Sequence, residues 1–187
     1  MFTRPPFEAV GPLVRVCLFW AGVILVVRGA LLIDGLHQAD PAACRERGDC
    51  VRISQLQLQF AWTEPAFRAA TNWTDATRKR ATEALRADSW MLVPGYVLVL
   101  AVLCGAAARR SEYRGYGVPG VLIAWSVFVA GAADLAENTL ISMALESPAP
   151  ATLQALAVAT CTKWALAGIA AVHATVAPLT RWVRQRG

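Results

Sequence analysis

Four long apolar stretches constrain the fold of this 187-residue chain more than any other feature. They cover residues 13–33, 90–108, 118–145 and 152–177. At a rise of about 1.5 Å per residue, a helix of each length can cross a bilayer core of roughly 30 Å. A soluble four-helix bundle would need polar outer faces, which these stretches lack, and only 17% of the residues are charged. The sequence therefore predicts an all-α membrane protein, a bundle of four transmembrane helices.

The termini and the second loop carry clusters of basic residues, and the third loop carries none. Arg4 and Arg15 precede or open the first stretch, whereas residues 147–151 contain no Lys or Arg. Three arginines fill the second loop (Arg109, Arg110 and Arg114) and three close the chain (Arg181, Arg184 and Arg186). Short basic segments stay in the cytoplasm, so both termini are expected there. The scattered basic groups exclude nucleic-acid binding and fit contacts to membrane lipids.

The first stretch is expected to be a retained anchor. Its basic start and apolar middle resemble a signal peptide, but Arg28 interrupts the apolar run and no small-x-small cleavage site follows directly. The chain then divides into three parts. Residues 1–33 hold the cytoplasmic N-terminus and helix 1, residues 34–87 an extracytoplasmic segment, and residues 88–187 helices 2–4 with the basic C-terminus.

The five cysteines divide between the extracytoplasmic segment and the predicted spans. Cys44 and Cys50 lie in the extracytoplasmic segment, where an oxidising environment allows them to form a disulfide. His37 is the only nearby histidine, which argues against a metal site. Cys17, Cys104 and Cys161 lie inside predicted spans and are best explained as small apolar residues. No metal site or cofactor motif is identified.

The extracytoplasmic segment is predicted to be a small α+β insertion between the first and second helices. In "ISQLQLQF", Leu56, Leu58 and Phe60 alternate with glutamines, the period-two pattern of a half-buried strand. A lone strand could pair within the segment or with another protein, so the segment is a possible protein-binding surface. Thr63 is then predicted to cap one helix and Thr74 a second helix that leads into the second span.

A polar cluster interrupts the third span. Asp134, Glu137 and Asn138 are spaced i, i+3 and i+4, so they share one helix face. Because an ionised group in hydrocarbon costs several kcal/mol, this face must point into the bundle. Asp134 lies about 16 Å below the outer end of its helix, and Lys163 lies about 18 Å below the outer end of the next. We therefore predict an Asp134–Lys163 interaction, either direct or through water.

Other polar residues are predicted to lie in the same outer half of the bundle. Tyr96 on the second span lies at a depth similar to that of Glu137, and Arg28 lies about 8 Å from the outer end of the first span. Asp88 stands at the mouth, and Pro94 with Gly95 is expected to kink the helix nearby. Two interpretations stay open: the cluster is a functional site, or it fixes helix packing alone.

The order of these features resembles a group of small, largely uncharacterised bacterial membrane proteins with four spans. Their shared pattern has an outer "LQLQF" segment and a T-E-P-x-F helix start, followed by an Asp-initiated helix with Pro and Tyr, a D-x-x-E-N signature and a Lys-Trp pair. The matching residues here are Asp88, Pro94, Tyr96, Asp134, Glu137, Asn138, Lys163 and Trp164. The resemblance implies the four-span fold and singles out these residues, but it implies no activity.

Three functions remain possible from the residues alone. The polar cluster could bind a lipid or small amphiphile, with or without catalysis, although no nucleophile or cofactor motif accompanies it. It could relay protons or ions in an oligomeric transporter. It could also lock the bundle of a non-enzymatic scaffold whose outer segment binds a partner protein. The first of these is the working expectation.

Overall fold

The computed structural model describes residues 4–37, 53–111 and 117–186, with backbone alone for 110, 111, 117, 118 and 177–186. The regular structure of these ranges is helical, and they contain no strand. The elements are α1 (Pro12–His37), α2 (Gln55–Gln59), α3 (Glu64–Ala70), α4 (Asp75–Ala87), a π-helical turn (Asp88–Leu92), α5 (Val93–Ser111), α6 (Gly117–Glu146) and α7 (Pro150–Arg186).

Four helices are long and apolar enough to cross a membrane. They are Pro12–His37, Asp75–Arg109, Pro119–Glu146 and Pro150–Val176. The second combines α4, the π-turn and α5, which follow one another without a break. The four predicted spans are thereby confirmed by length and composition, and they indicate an integral membrane protein.

The predicted strand in "ISQLQLQF" is wrong, and with it the α+β character of the insertion. Residues Gln55–Gln59 form a short helix capped by Ser54, whose hydroxyl accepts a hydrogen bond from the Gln57 N–H at 3.3 Å. Leu58 is 2% exposed, but Leu56 is 58% exposed, so the two do not share a buried face. Without a neighbouring strand in the described ranges, a helix satisfies the backbone groups locally, and a strand would leave them unpaired.

The predicted helix starts in the rest of the segment are confirmed. Thr63 and Thr74 occupy the N-cap positions of α3 and α4 in extended backbone conformation. The Thr74 hydroxyl accepts a hydrogen bond from the Thr77 N–H at 3.3 Å, a typical capping contact. The residues between the helices, 72–74, are not helical, as the "TNWTD" sequence predicts.

The chain divides into two compact units. The first contains residues up to 26, 94–133 and from 162 onward. In it, a Cβ atom added to Gly95 would lie 2.8 Å from the Val26 nitrogen, so the backbones of α1 and α5 approach too closely for a larger residue. The Cys104 thiol donates to the Ala170 carbonyl at 3.3 Å, which links α5 to α7. Trp125 donates its indole N–H to the Arg4 carbonyl at 2.9 Å.

The second unit contains the described residues of 27–93 and 134–161. Its apolar core joins α2 and α3 to the end of α4, the last turns of α6 and the first turns of α7. The buried members are Leu58, Ala61, Phe67, Leu85, Ile141, Ala144, Leu145, Leu153 and Leu156. The segment between the first two spans is therefore packed into a shared core with the ends of two spans.

Candidate functional site

The π-turn positions the central residue of the site. Pro94 has no N–H, and its ring would collide with the carbonyl of residue 90 in a regular α-helix. The helix widens just before it, and the Val93 N–H donates to the carbonyl of Asp88, five residues back. Such π-turns are rare in proteins, and those that occur often lie at functional sites. The deformation expected at Pro94 and Gly95 is therefore present, as a widened turn that begins at Asp88.

Asp88 joins three elements of the second unit. Its Oδ2 atom accepts a hydrogen bond from Gln55 Nε2 on α2 at 2.8 Å and another from Asn138 Nδ2 on α6 at 2.9 Å. The Asp88 residue is only 2% exposed. Two amide donors on one oxygen are what a buried carboxylate needs to offset lost hydration.

The chemistry of Asp88 fixes the orientation of Asn138. An ionised carboxylate only accepts hydrogen bonds, so Asn138 must present its NH₂ group to it. The same NH₂ group also donates to the Ser89 hydroxyl at 3.1 Å, and Ser89 in turn donates to the Leu85 carbonyl at 2.9 Å. The Asn138 Oδ1 atom is left buried, with no hydrogen-bond partner among the described residues.

The acidic face of α6 is buried. Asp134 is 5% exposed, Glu137 is fully buried and Asn138 is 3% exposed. The burial of these three residues agrees with the expectation that this face of α6 avoids lipid. One turn further along α6, the Ser142 hydroxyl donates to the Asn138 carbonyl at 2.9 Å.

Gln59 extends the site onto α7. Its backbone carbonyl accepts hydrogen bonds from Trp62 Nε1 at 2.6 Å and from Thr160 Oγ1 at 3.3 Å. Thr160 is fully buried and lies ten residues after Pro150, about 15 Å along the helix. Because Gln55 and Gln59 are four residues apart, they share one face of α2, the face that meets Asp88. The Gln59 Oε1 atom is buried, with no partner in the described parts of the chain.

We call Gln55, Gln59, Asp88, Asp134, Glu137 and Asn138 the polar cluster. All six belong to the second unit. The sequence pointed to four of them, and it missed both glutamines. The i, i+4 spacing of Gln55 and Gln59 was the available signal, which the strand interpretation concealed. The contacts of Ser89 and Thr160 could not be predicted from the sequence, because their partners Asn138 and Gln59 lie far away in the chain.

The remaining predicted site residues lie elsewhere. Arg28 is exposed on α1, unlike the buried polar cluster. Tyr96 and Lys163 belong to the first unit, and the Asp134–Lys163 interaction stays a prediction. Lys163 is 6% exposed, with its Nζ atom 5.4 Å from the centre of the Trp164 ring. Cys44 and Cys50 fall outside the described residues, so their disulfide also stays a prediction.

The described side chains form no metal-binding constellation. They contain no group of three or more His, Cys, Asp and Glu residues that could hold a metal ion. The polar cluster instead combines carboxylates with amides, which can hold a ligand by hydrogen bonds.

Comparisons with protein-family models, with curated proteins and with solved structures found no match to this chain. The function must therefore be argued from the polar cluster itself.

Proposed function

We propose that the protein binds a lipid or small amphiphile at the polar cluster, from the outer leaflet of a bacterial plasma membrane, with both termini in the cytoplasm. The observation that carries this proposal is the pair of buried acceptor atoms, Asn138 Oδ1 and Gln59 Oε1, that no described residue satisfies. A buried acceptor without a donor costs about 1–3 kcal/mol. A bound ligand that supplies donors would recover that free energy.

The position of α2 supports access from the membrane. Leu56 and Phe60 are 58% and 51% exposed, although their helix packs beside buried residues of α6 and α7. Trp90, on the π-turn, is 81% exposed, as expected for a tryptophan at the membrane surface. These exposed apolar side chains belong to the same unit as the polar cluster, which supports contacts with acyl chains there.

Native mass spectrometry tests the proposal. The wild-type protein would be extracted from its own membrane into nanodiscs beside the Asp134→Asn/Glu137→Gln double variant. We expect a discrete small-molecule mass on the wild type that is absent from the double variant. The exposed Glu83→Gln change is the matched control and should keep the bound mass. A bare chain in all samples, equally stable, would instead make the cluster structural polar packing.

The orientation is tested separately by labelling with a membrane-impermeant maleimide. Lys79→Cys on α4 should react in intact cells of a bacterial host, and Arg4→Cys only after the membrane is permeabilised. The unsubstituted chain gives the background from the native cysteines. Labelling of Arg4→Cys in intact cells would overturn the proposed topology.

A second candidate is a scaffold that binds a partner protein through the outer segment. An open depression of about 470 Å³ favours it, lined by Gln57, Phe60, Ala61, Ala66, Ala69 and Ala70. A photo-crosslinking residue at position 57 should then give a discrete protein adduct in cells. Adducts with lipid alone would contradict the scaffold. Ion-coupled transport gains no specific support from the described residues.

A further inference from the structure

Arg28 is a charged side chain on the exposed face of a membrane-spanning helix. It lies nine residues before the end of α1, and no acidic side chain of the described ranges pairs with it. Its neighbours one turn away, Ile24 and Leu31, are 56% and 70% exposed. A guanidinium on such an apolar surface needs an anion or water from outside the bundle, because hydrocarbon solvates it poorly.

Gly29 fixes the level of Arg28 relative to the π-turn. A Cβ atom added to Gly29 would lie 3.1 Å from the Leu92 nitrogen and 3.1 Å from Met91 Cβ, so α1 touches the π-turn here. Arg28 precedes Gly29, and Trp90 precedes Met91. At helical rise, Arg28 and Trp90 therefore lie within about 5 Å of each other in depth.

Trp90 shows where this level lies in the bilayer. It is 81% exposed, and exposed tryptophans of membrane proteins concentrate at the headgroup level. Arg28 stands close to the same level, and its long side chain can extend toward the surface while its stem stays among apolar groups. The guanidinium can therefore reach lipid phosphates.

A second copy of the chain fits this face less well than lipid does. In a symmetric dimer with parallel α1 helices packed through this face, the two Arg28 side chains would meet at the same depth and repel each other. Asp34, the only acid on α1, lies about 9 Å further along the helix and takes part in an interaction of its own. Lipid phosphates, in contrast, supply negative charge at the required level.

We infer that Arg28 and Trp90 form a binding surface for an anionic phospholipid, with the Arg28 guanidinium on the headgroup phosphate and the acyl chains against the apolar residues of α1. The planar guanidinium matches two phosphate oxygens at once. An anionic headgroup leaves the phosphate charge unopposed, whereas the trimethylammonium of phosphatidylcholine offsets it. The surface uses no residue of the polar cluster, so the inference goes beyond the proposed function and does not rest on it.

The test measures lipid preference in wild type and in Arg28→Gln. Both are placed in nanodiscs with equal amounts of phosphatidylglycerol and phosphatidylcholine that carry identical acyl chains, and retained lipid is counted by native mass spectrometry. We expect Arg28→Gln to lose about fivefold of the wild-type preference for phosphatidylglycerol, the effect of one basic side chain near an anionic surface. Arg28→Lys keeps the charge and should lose less.

A matched control and a crosslink locate the preference. Arg78→Gln removes the same charge from an exposed position on α4, 12 residues before Trp90, and should keep the preference. A photo-crosslinking residue at position 31, one turn from Arg28, should form adducts with phosphatidylglycerol more than with phosphatidylcholine. Arg28→Gln should remove that difference.

Three outcomes would overturn the inference. The first is an unchanged preference in Arg28→Gln. The second is an equal loss in Arg78→Gln, which would attribute the preference to net charge. The third is a position-31 adduct with a second copy of the chain, which would assign this face to a dimer. Each leaves the proposed function standing, because that function is tested at Asp134 and Glu137.

Discussion

Asp88 is the residue on which the polar cluster depends most. It is buried, and one of its oxygens accepts hydrogen bonds from two helices that lie far away in sequence. The sequence singled out Asp88 only as a residue at the mouth of the bundle. Its role as a junction could not be predicted, because its partners lie 33 and 50 residues away and meet it only in the folded chain.

Asp88→Asn is expected to destabilise the protein. The neutral amide accepts more weakly than a carboxylate, and two charge-assisted hydrogen bonds would each weaken, for a loss of about 1–3 kcal/mol in the free energy of unfolding. Denaturant unfolding in detergent micelles measures the change. Glu83→Gln, exposed on α4, is the control and should change it by less than about 0.5 kcal/mol. Equal stability of the two variants would show that the hydrogen bonds to Asp88 contribute nothing.

At the scale of elements, long and short helices differed in predictability. The four spans could be predicted because a long apolar run has few stable alternatives in a bilayer. The five residues of α2 could not, because alternation over so short a run fits either a strand or a helix. The decisive facts were the Ser54 cap and the burial of Leu58 with Gln59, and the second depends on tertiary packing.

Replacing Pro94, which follows the π-turn, is predicted to lower the stability of the protein, the opposite of the usual effect of removing a proline from a helix. Replacing a proline inside a helix by alanine normally stabilises the helix by up to about 3 kcal/mol. In Pro94→Ala, however, the widened turn can close to a regular α-helix, which would turn Asp88 about 100° around the helix axis and away from Gln55 and Asn138. We therefore expect a lower melting temperature. Pro150→Ala, at the first residue of α7, is the control and should be nearly neutral. A higher melting temperature for Pro94→Ala would mean that the proline does not enforce the turn.

At the scale of the whole molecule, the segment between the first two spans is held by the same apolar core that packs the ends of α6 and α7. Leu156 is fully buried in that core with Leu58 and Phe67. Truncating a buried leucine to alanine costs about 2–5 kcal/mol, and here the loss falls where α2 and α3 are attached. Leu156→Ala should therefore release this segment before it unfolds the spans, and ligand binding at Gln59 should weaken with it.

Hydrogen exchange followed by mass spectrometry measures that release. In Leu156→Ala, amides of residues 55–70 should exchange faster, while amides in the middle of α5 keep their protection. Met143→Ala, which is 53% exposed on α6, is the matched control and should leave residues 55–70 protected. Faster exchange throughout the molecule would show that the segment and the spans unfold as one cooperative unit. Unchanged exchange in residues 55–70 would show that Leu156 does not hold the segment, so the polar cluster would owe its shape to the hydrogen bonds of Asp88.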